Sequence, residues 1–166
     1  MITSVNIELR PIREKEDISV YKLFQSLPAE ENGAENEAFG LTKSEFSEWC
    51  KIKVNNSVGL ELPKNYVPST LFILFIEDVP VGRVYIRHKL VPDVGHIGRY
   101  IAKEFRNKGY GNIMLIESLK KAKEMKLEKV LIVCKENNCA GCKTIEKNGG
   151  ILEKIEKGNK HFWIHL

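Results

Sequence analysis

The chain has 166 residues, of which 43% are hydrophobic, enough to bury the core of one domain. Its 26 basic and 22 acidic residues give a formal net charge of +4 with no long block of one sign, so charge alone requires neither a nucleic acid nor a membrane surface as partner. Neither a secretory signal nor an apolar run of membrane-spanning length is present, so we expect a cytoplasmic protein, without membrane association, whose four cysteines are free thiols.

The first 69 residues carry one predicted strand and two predicted helices. Residues 5–10 alternate apolar and polar side chains, as a half-buried strand does, and a helix is predicted over 16–26 before Pro28 stops the pattern. Thr42 and Glu45 form a capping-box signature that opens a second helix, expected to end before Asn55. The connections 29–40 and 58–69 lack periodicity, and we predict that they wall a substrate site.

Strands and helices alternate from residue 70 onward. Residues 70–77 and 81–90 are predicted to pair as a hairpin, followed by a strand over 95–102 and a helix over 110–126. A continuous apolar run indicates a buried strand over 129–134. A last helix is predicted over 138–147, and the glycine-containing segment 148–150 that follows suits its C-terminal cap. Residues 151–155 and 161–166 close as a hairpin around Gly158. This order predicts a mixed sheet with helices packed on it, an α/β (α+β) class.

The loop Arg106-Asn107-Lys108-Gly109-Tyr110-Gly111 joins a predicted strand to a predicted helix. Glycines allow a tight turn and close approach to a ligand, and the first helical amides are unpaired donors supported by the helix dipole and two cations. The residues therefore predict an anion-binding loop, with a plain turn as the alternative. A P-loop would need Gly-Lys-Ser/Thr and a dinucleotide fingerprint a third glycine at Met114, so the spacing disfavours both.

Four segments of the C-terminal half occur in an order and spacing that point to one protein family. They are His96-Ile97-Gly98-Arg99-Tyr100-Ile101, then Arg106-x-x-Gly109-x-Gly111, then 130–134, then Asn138-x-Ala140 with Ile145-Glu146-Lys147-Asn148-Gly149-Gly150. Together they resemble the GCN5-related N-acetyltransferase (GNAT) superfamily over about residues 70–155, and 14–69 follows it only in outline. The resemblance implies a GNAT-like mixed, mostly antiparallel sheet of about seven strands flanked by about four helices. It also implies one acetyltransferase domain over 1–166, with 1–69 as the acceptor part and 70–166 as the acetyl-CoA-binding core and C-terminal hairpin.

The resemblance implies acetyl-CoA as cosubstrate and assigns its contacts. Backbone groups along the pantetheine arm and the amides around the pyrophosphate are expected to bind it, together with an asparagine at the start of the last helix. These residues are Tyr100, Ile101, Ala102, Arg106, Asn107, Lys108, Gly109, Tyr110, Gly111 and Asn138. Asn138 equally suits an ordinary helix N-cap.

The implied activity is that of an acyl-CoA-dependent N-acyltransferase, which moves an acetyl group to a primary amine of a small molecule or protein by direct attack. His96 and His88 are the candidate general bases, each acting through water, and each is also a candidate for a structural histidine. Many relatives place a tyrosine acid where this chain has Ile145. Tyr100, Cys142 or water would then protonate the leaving thiolate.

Other functions stay open. The missing tyrosine is compatible with a non-catalytic acyl-CoA sensor. Aromatic residues on the predicted strands would suit an RNA-binding sheet: Phe72, Phe75, Tyr85, Phe162 and Trp163. Their aliphatic neighbours favour a core instead, and no nucleic acid is expected. Cys139-x-x-Cys142 with His161-x-x-x-His165 has zinc-ligand types, but the 18 residues between the pairs exceed the usual spacing of about 12, so no metal is expected.

The acceptor amine is not identified by the sequence. An acidic run in the first long connection would attract a cationic amine or be a solvated loop: Glu30, Glu31, Glu35 and Glu37. Small amines, amino acids and protein amines all fit, because a fold does not fix its substrate. A homodimer is compatible with the family, but no sequence feature requires one.

Overall fold

A computed structural model describes residues 3–166. The strands are β1 (Ile7–Pro11), β2 (Glu30–Glu31), β3 (Ala34–Glu35), β4 (Ser69–Ile76), β5 (Val79–Arg87), β6 (Ile97–Ile101), β7 (Lys129–Lys135), β8 (Ile151–Glu156) and β9 (Asn159–His165). The helices are α1 (Ile18–Ser26), α2 (Lys43–Ser57), α3 (Tyr110–Glu124) and α4 (Cys139–Lys147), with a 3-10 turn at Lys103–Phe105. Within the described residues, no helix is long and apolar enough to cross a membrane.

Seven of the strands form two sheets. The order is β1-β4-β5-β6 in one sheet and β7-β9-β8 in the other, and every ladder is antiparallel. Two sheets with four helices confirm the predicted α/β (α+β) architecture. The connection 29–40 was predicted to be irregular, but it contains the small β2–β3 hairpin. The sequence did not predict this hairpin because strands of two residues are too short to show a period-two pattern.

The four-stranded sheet is buried on both faces, which explains the continuous apolar sequence of β4. Successive side chains of a strand point to opposite faces, so alternate residues of β4 enter different cores. Leu71, Ile73 and Phe75 pack with α1 and α2. The other set packs with α3 and the three-stranded sheet: Phe72, Leu74 and Ile76.

Helix α2 begins as predicted and ends later than predicted. Thr42 and Glu45 form the complete capping box, in which each side chain accepts from the other residue's backbone N–H. The Asn55-Asn56 pair suggested an earlier end, but the helix continues to Ser57. Asn56 is tolerated in the last turn because its buried amide donates to the carbonyls of Leu60 and Glu61.

Strands β6 and β7 lie side by side at one end and separate at the other. In residues 3–166 they share no ladder, only an isolated bridge between Gly95 and Ile132. At this junction, the His96 amide donates to the Leu131 carbonyl at 2.7 Å, and the Leu131 amide donates to His96 Nδ1 at 2.9 Å. Beyond it the facing edges have no strand partner, so backbone groups of both strands are open to a cleft.

Gly95 permits this junction for two reasons, and a matched glycine separates them. Gly95 has φ +78°, and a Cβ there would lie 2.5 Å from the Leu131 carbonyl oxygen. Gly158 has the same φ, but a Cβ added there would have no atom within 4 Å. We expect Gly158→Ala to lower the free energy of unfolding by about 1–2 kcal/mol through backbone strain alone. Gly95→Ala should lower it by roughly 1–3 kcal/mol more, through the clash.

Urea unfolding of both variants measures the difference. Equal losses at the two glycines would show that contact with Leu131 does not hold the strands at this point.

Candidate active site

A large cavity opens where β6 and β7 separate. Its volume is about 940 Å³, within the range of sites for sizeable organic ligands. The wall is built by β5, β6, the loop before α3, the end of β7, the start of α4 and the β2–β3 hairpin. The cavity therefore extends from the N-terminal third of the chain to the two C-terminal helices.

The start of α3 presents unpaired backbone donors at this cavity. Gly109 is the N-cap, with φ +81°, and no side chain caps the helix. The first intrahelical bond runs from the Ile113 amide to the Gly109 carbonyl at 3.2 Å, so the amides of residues 110–112 have no acceptor within the helix. A left-handed conformation is accessible to glycine without a Cβ clash, which explains the residue type. Free amides and the positive helix end form a site for phosphate oxygens.

Arg99 joins the starts of the two C-terminal helices. Its guanidinium donates to the Gly111 carbonyl at 3.5 Å and to the Gly141 carbonyl at 3.2 Å. Burial lowers the pKa of Arg99, but an arginine retains its charge at neutral pH. The site thus contains a fixed cation beneath the open helix start.

A three-residue cluster fastens the β2–β3 hairpin to the cavity wall. Arg106 donates to the Tyr100 hydroxyl at 2.7 Å and to Glu31 Oε1 at 2.9 Å, and the Tyr100 hydroxyl donates to Glu31 Oε2. The hydrogen bond from Arg106 lowers the pKa of Glu31. Burial and the Glu31 hydrogen bond raise the pKa of Tyr100 to about 12, so Tyr100 is protonated at neutral pH.

Glu37 also reaches the cavity and is already paired. It forms an ion pair with Lys53 and accepts from the Trp49 indole at 3.3 Å. Burial pushes the pKa of Glu37 upward, but the contacts with Lys53 and Trp49 outweigh burial and hold the pKa below its ordinary value. Two carboxylates of the acidic run noted in the sequence, those of Glu31 and Glu37, are therefore neutralised at the cavity by neighbouring cations.

Most predicted cofactor contacts lie together on the cavity wall. All of them line it except Ala102 and Lys108. Ala102 is fully buried with its amide bonded to the Val81 carbonyl, and Lys108 is exposed. Asn138 lines the cavity and also accepts from the Gly141 amide at 3.1 Å as the N-cap of α4.

The two histidines lie outside the cavity lining. His96 is buried and binds the Leu131 backbone, and His88 contacts the Thr70 hydroxyl at 2.8 Å. Burial lowers the pKa of both rings, which favours their neutral forms. Of the three predicted catalytic residues, the structure brings only Tyr100 to the cavity, and a proton would reach either histidine through water.

Residues absent from the sequence-based prediction also line the cavity. Cys134 lies there at the end of β7, and burial raises its pKa to about 12, so it is a neutral thiol. Ile145 lies there too, at the position of the usual tyrosine, while Cys142 is buried and outside the lining. Arg83 and Arg87 on β5 were also missed. The only signal for them in the sequence was a pair of charges within an otherwise apolar strand.

The residues named for the alternative sites differ in their exposure, and among the aromatic ones Tyr85 and Trp163 are half-buried. Within residues 3–166, no group of three or more His, Cys, Asp or Glu side chains could hold a metal ion. Cys139 and His165 are exposed, whereas Cys142 and His161 are buried. Phe72, Phe75 and Phe162 are buried in the core and cannot stack bases.

Comparison with known proteins gives a family and a fold. The model of the acetyltransferase (GNAT) family matches residues 36–150. No curated protein sequence matches the chain. A GNAT-family acetyltransferase from Streptococcus pneumoniae has a similar structure, with TM-score 0.66 and 16% identity over 97% of this chain and 100% of that chain.

Two further structures share the fold. One is the N-acetyltransferase PseH of Campylobacter jejuni in complex with acetyl coenzyme A, with TM-score 0.64 and 15% identity over 96% of this chain and 99% of that chain. The other, from Salmonella typhimurium, modifies the N-terminal serine of the 50S ribosomal subunit protein L7/L12, with TM-score 0.65 and 14% identity over 96% and 95% of the two chains.

The attachment of the hairpin depends on the charge of Glu31. The lowered pKa means that the carboxylate stabilises the folded state above the ordinary glutamate pKa of 4.5, and that this stabilisation is lost as pH falls through the lowered value. We expect Glu31→Gln to speed amide hydrogen exchange over residues 30–35 by roughly threefold or more at neutral pH. Wild type should approach the variant as acidification protonates Glu31.

Exchange rates corrected for the intrinsic effect of pH make this comparison. Glu8→Gln, at an exposed position, is the control and should leave the hairpin unchanged. Hairpin exchange that is the same in both variants would show that Glu31 does not hold the hairpin.

Proposed function

This chain belongs to the acetyltransferase (GNAT) family, and we propose that it transfers the acetyl group of acetyl-CoA to a primary amine by direct attack on the thioester. Acetyl-CoA is the cosubstrate, and it is present in a solved structure of this fold. The observation that carries the proposal is the uncapped start of α3 at Gly109, which faces the cavity between β6 and β7.

The cavity suits the parts of coenzyme A. The free amides at residues 110–112 match the pyrophosphate, which needs several donors and a positive field. The edge of β6 beyond Gly95 has no strand partner, so its backbone groups can bond the amides of the pantetheine arm as a neighbouring strand would. We therefore assign Tyr100, Ile101 and the Arg106–Gly111 loop to the cosubstrate.

The protein groups near the thioester would act through placement and proton transfer. A backbone N–H on the open edge of β6 would stabilise the oxyanion formed by attack, an effect worth about 3–4 kcal/mol in other acyl-transfer enzymes. Tyr100 is the proposed proton donor to the departing thiolate, with water as its substitute, because Tyr100 is protonated and lines the cavity. Its proton would have to leave the hydrogen bond to Glu31. His96 and His88 remain proposed bases through water.

Two aspects of this function are proposed from the relatives and the sequence. The acceptor is a small-molecule or peptide amine. Among the similar structures, the Salmonella protein modifies the N-terminal serine of a ribosomal protein, and PseH is an N-acetyltransferase. The protein would work in the cytoplasm, as a monomer or homodimer. Ile145 at the tyrosine position favours one alternative, a sensor that binds acyl-CoA without turnover.

Calorimetry with acetyl-CoA and with CoA tests the cofactor site. We expect wild type to bind in the micromolar range and the double variant Gly109→Val, Gly111→Val to lose about tenfold or more in affinity, because side chains obstruct the amides and strain Gly109. Gly40→Val is the matched control, since Gly40 also has a positive φ and open space. It lies outside the cavity lining and should keep wild-type affinity.

A thiol-release assay with a panel of amines then separates the enzyme from the sensor. Release of CoA thiol only when an amine is present supports the transferase. Binding of acetyl-CoA without turnover of any amine supports the sensor. If folded wild type does not bind acetyl-CoA, both the transferase and the sensor are contradicted.

A further inference from the structure

Two arginines on one face of β5 line the cavity, on the side formed by β5 and the β2–β3 hairpin. Arg83, Tyr85 and Arg87 alternate with Val84 and Ile86, which pack in the core against α3. All three alternate residues line the cavity. Arg83 is only 4% exposed, and Arg87 is half-buried.

Neither arginine has a carboxylate partner. Arg83 Nη2 donates to the Glu35 carbonyl at 2.6 Å, and Arg87 Nη1 donates to the Gly95 carbonyl at 3.4 Å. Among residues 3–166, no ion pair includes either guanidinium. A guanidinium has five N–H donors, so most of this capacity is left for a molecule in the cavity.

Two of the three acids that line the cavity are already paired, and the third, Glu35, forms no ion pair with any residue of 3–166. Glu37 is paired with Lys53, and Glu31 is paired with Arg106. Burial lowers the pKa of Arg83 and of Arg87, and the like charge of Arg83 lowers the pKa of Arg87 further. The charge of Glu37 offsets part of the effect of burial on Arg83, but no carboxylate pairs with either guanidinium. Unpaired buried charges are unfavourable, so this arrangement is explained best by an anion that arrives with a ligand.

The guanidinium of Arg87 lies beside β6, the strand whose open edge the proposed function assigns to the pantetheine arm. A Cβ on Gly98 of β6 would lie 3.8 Å from Arg87 Nη1, an ordinary contact distance, so the guanidinium lies directly against this strand. Coenzyme A carries its charges on phosphates, which the proposed function assigns to the start of α3. Its pantetheine arm is uncharged and has no use for two cations on β5.

On the basis of the proposed function, we infer that the acceptor amine carries an anionic group, a carboxylate or a phosphate, which Arg83 and Arg87 bind. The planar fork of a guanidinium matches either group with two parallel hydrogen bonds. The same pair repels polyamines and other acceptors whose charge is only positive. The site thereby selects amines by a charge remote from the nucleophile.

Wild type alone tests the charge requirement with matched acceptors. The pairs are the common amino acids with their amides, phosphoethanolamine with ethanolamine, and glucosamine 6-phosphate with glucosamine, and spermidine represents the polycations. We expect the best substrate to carry the anionic group, with kcat/KM about tenfold or more above the partner that lacks it, the effect of one charge-assisted pair. The carboxylate and phosphate arms show which anion is bound.

Substitution of Arg87 tests the binding residue. Arg87→Gln should raise KM for the anionic acceptor about tenfold or more and should change KM for the partner that lacks the anion far less. Arg87→Lys should fall between, because charge remains without the fork. Arg13→Gln removes a charge at an exposed position and should change nothing. Both arginines also donate to a backbone carbonyl, but the Arg83 bond to Glu35 at 2.6 Å is shorter than the Arg87 bond to Gly95 at 3.4 Å, so Arg83 is the poorer test.

The outcomes separate this inference from the function beneath it. Better turnover of uncharged or cationic amines, with acetyl-CoA bound, overturns the inference and leaves the transferase standing. Failure to bind acetyl-CoA overturns the transferase itself. If CoA binds but no amine is turned over, calorimetry of the CoA-loaded protein with the same anionic amines decides, and an absence of binding overturns the inference. Unfolding temperatures confirm that the Arg87 variants are folded.

Discussion

The separation of β6 from β7 is the constraint on which the site depends. Neighbouring strands usually continue their hydrogen bonds along the whole pair, but here the shared bonding is confined to the junction at Gly95 and His96. His96 contributes both a backbone donor and a ring acceptor to Leu131. The open edges beyond this point create the cavity, and the start of α3 is positioned at its side because the loop from β6 leads directly into that helix.

The two halves of the cavity have different physical requirements. The side at α3 needs backbone amides and a positive field, which glycine and the helix provide without much dependence on other side chains. The side formed by β5 and the β2–β3 hairpin is built from side chains, including Arg83, Arg87 and the cluster at Glu31. A scaffold of this kind keeps one cosubstrate while the other substrate changes with a few residues.

Local patterns predicted much of the fold and the glycine loop. The capping box at Thr42, the strand runs and the glycines of the α3 start depend on neighbours within a few residues, so they are visible in sequence. The assignment of His96 as a candidate base could not be tested against local patterns, because its role depends on a long-range contact. His96 binds a residue 35 positions away, and no local pattern records that contact. Arg83 and Arg87 were missed for the same reason, since burial and the absence of a carboxylate partner arise only when distant strands meet.

The ring acceptor in the sheet junction makes the architecture sensitive to acid. Burial, with a smaller effect from Arg87, lowers the pKa of His96 below its ordinary 6.5. As pH falls below that value, the unfolded chain takes up a proton that the folded ring resists, because protonation would remove the acceptor for the Leu131 amide. Mild acid therefore lowers the stability of the junction at which the two sheets are joined, through a side chain that lies outside the cavity lining.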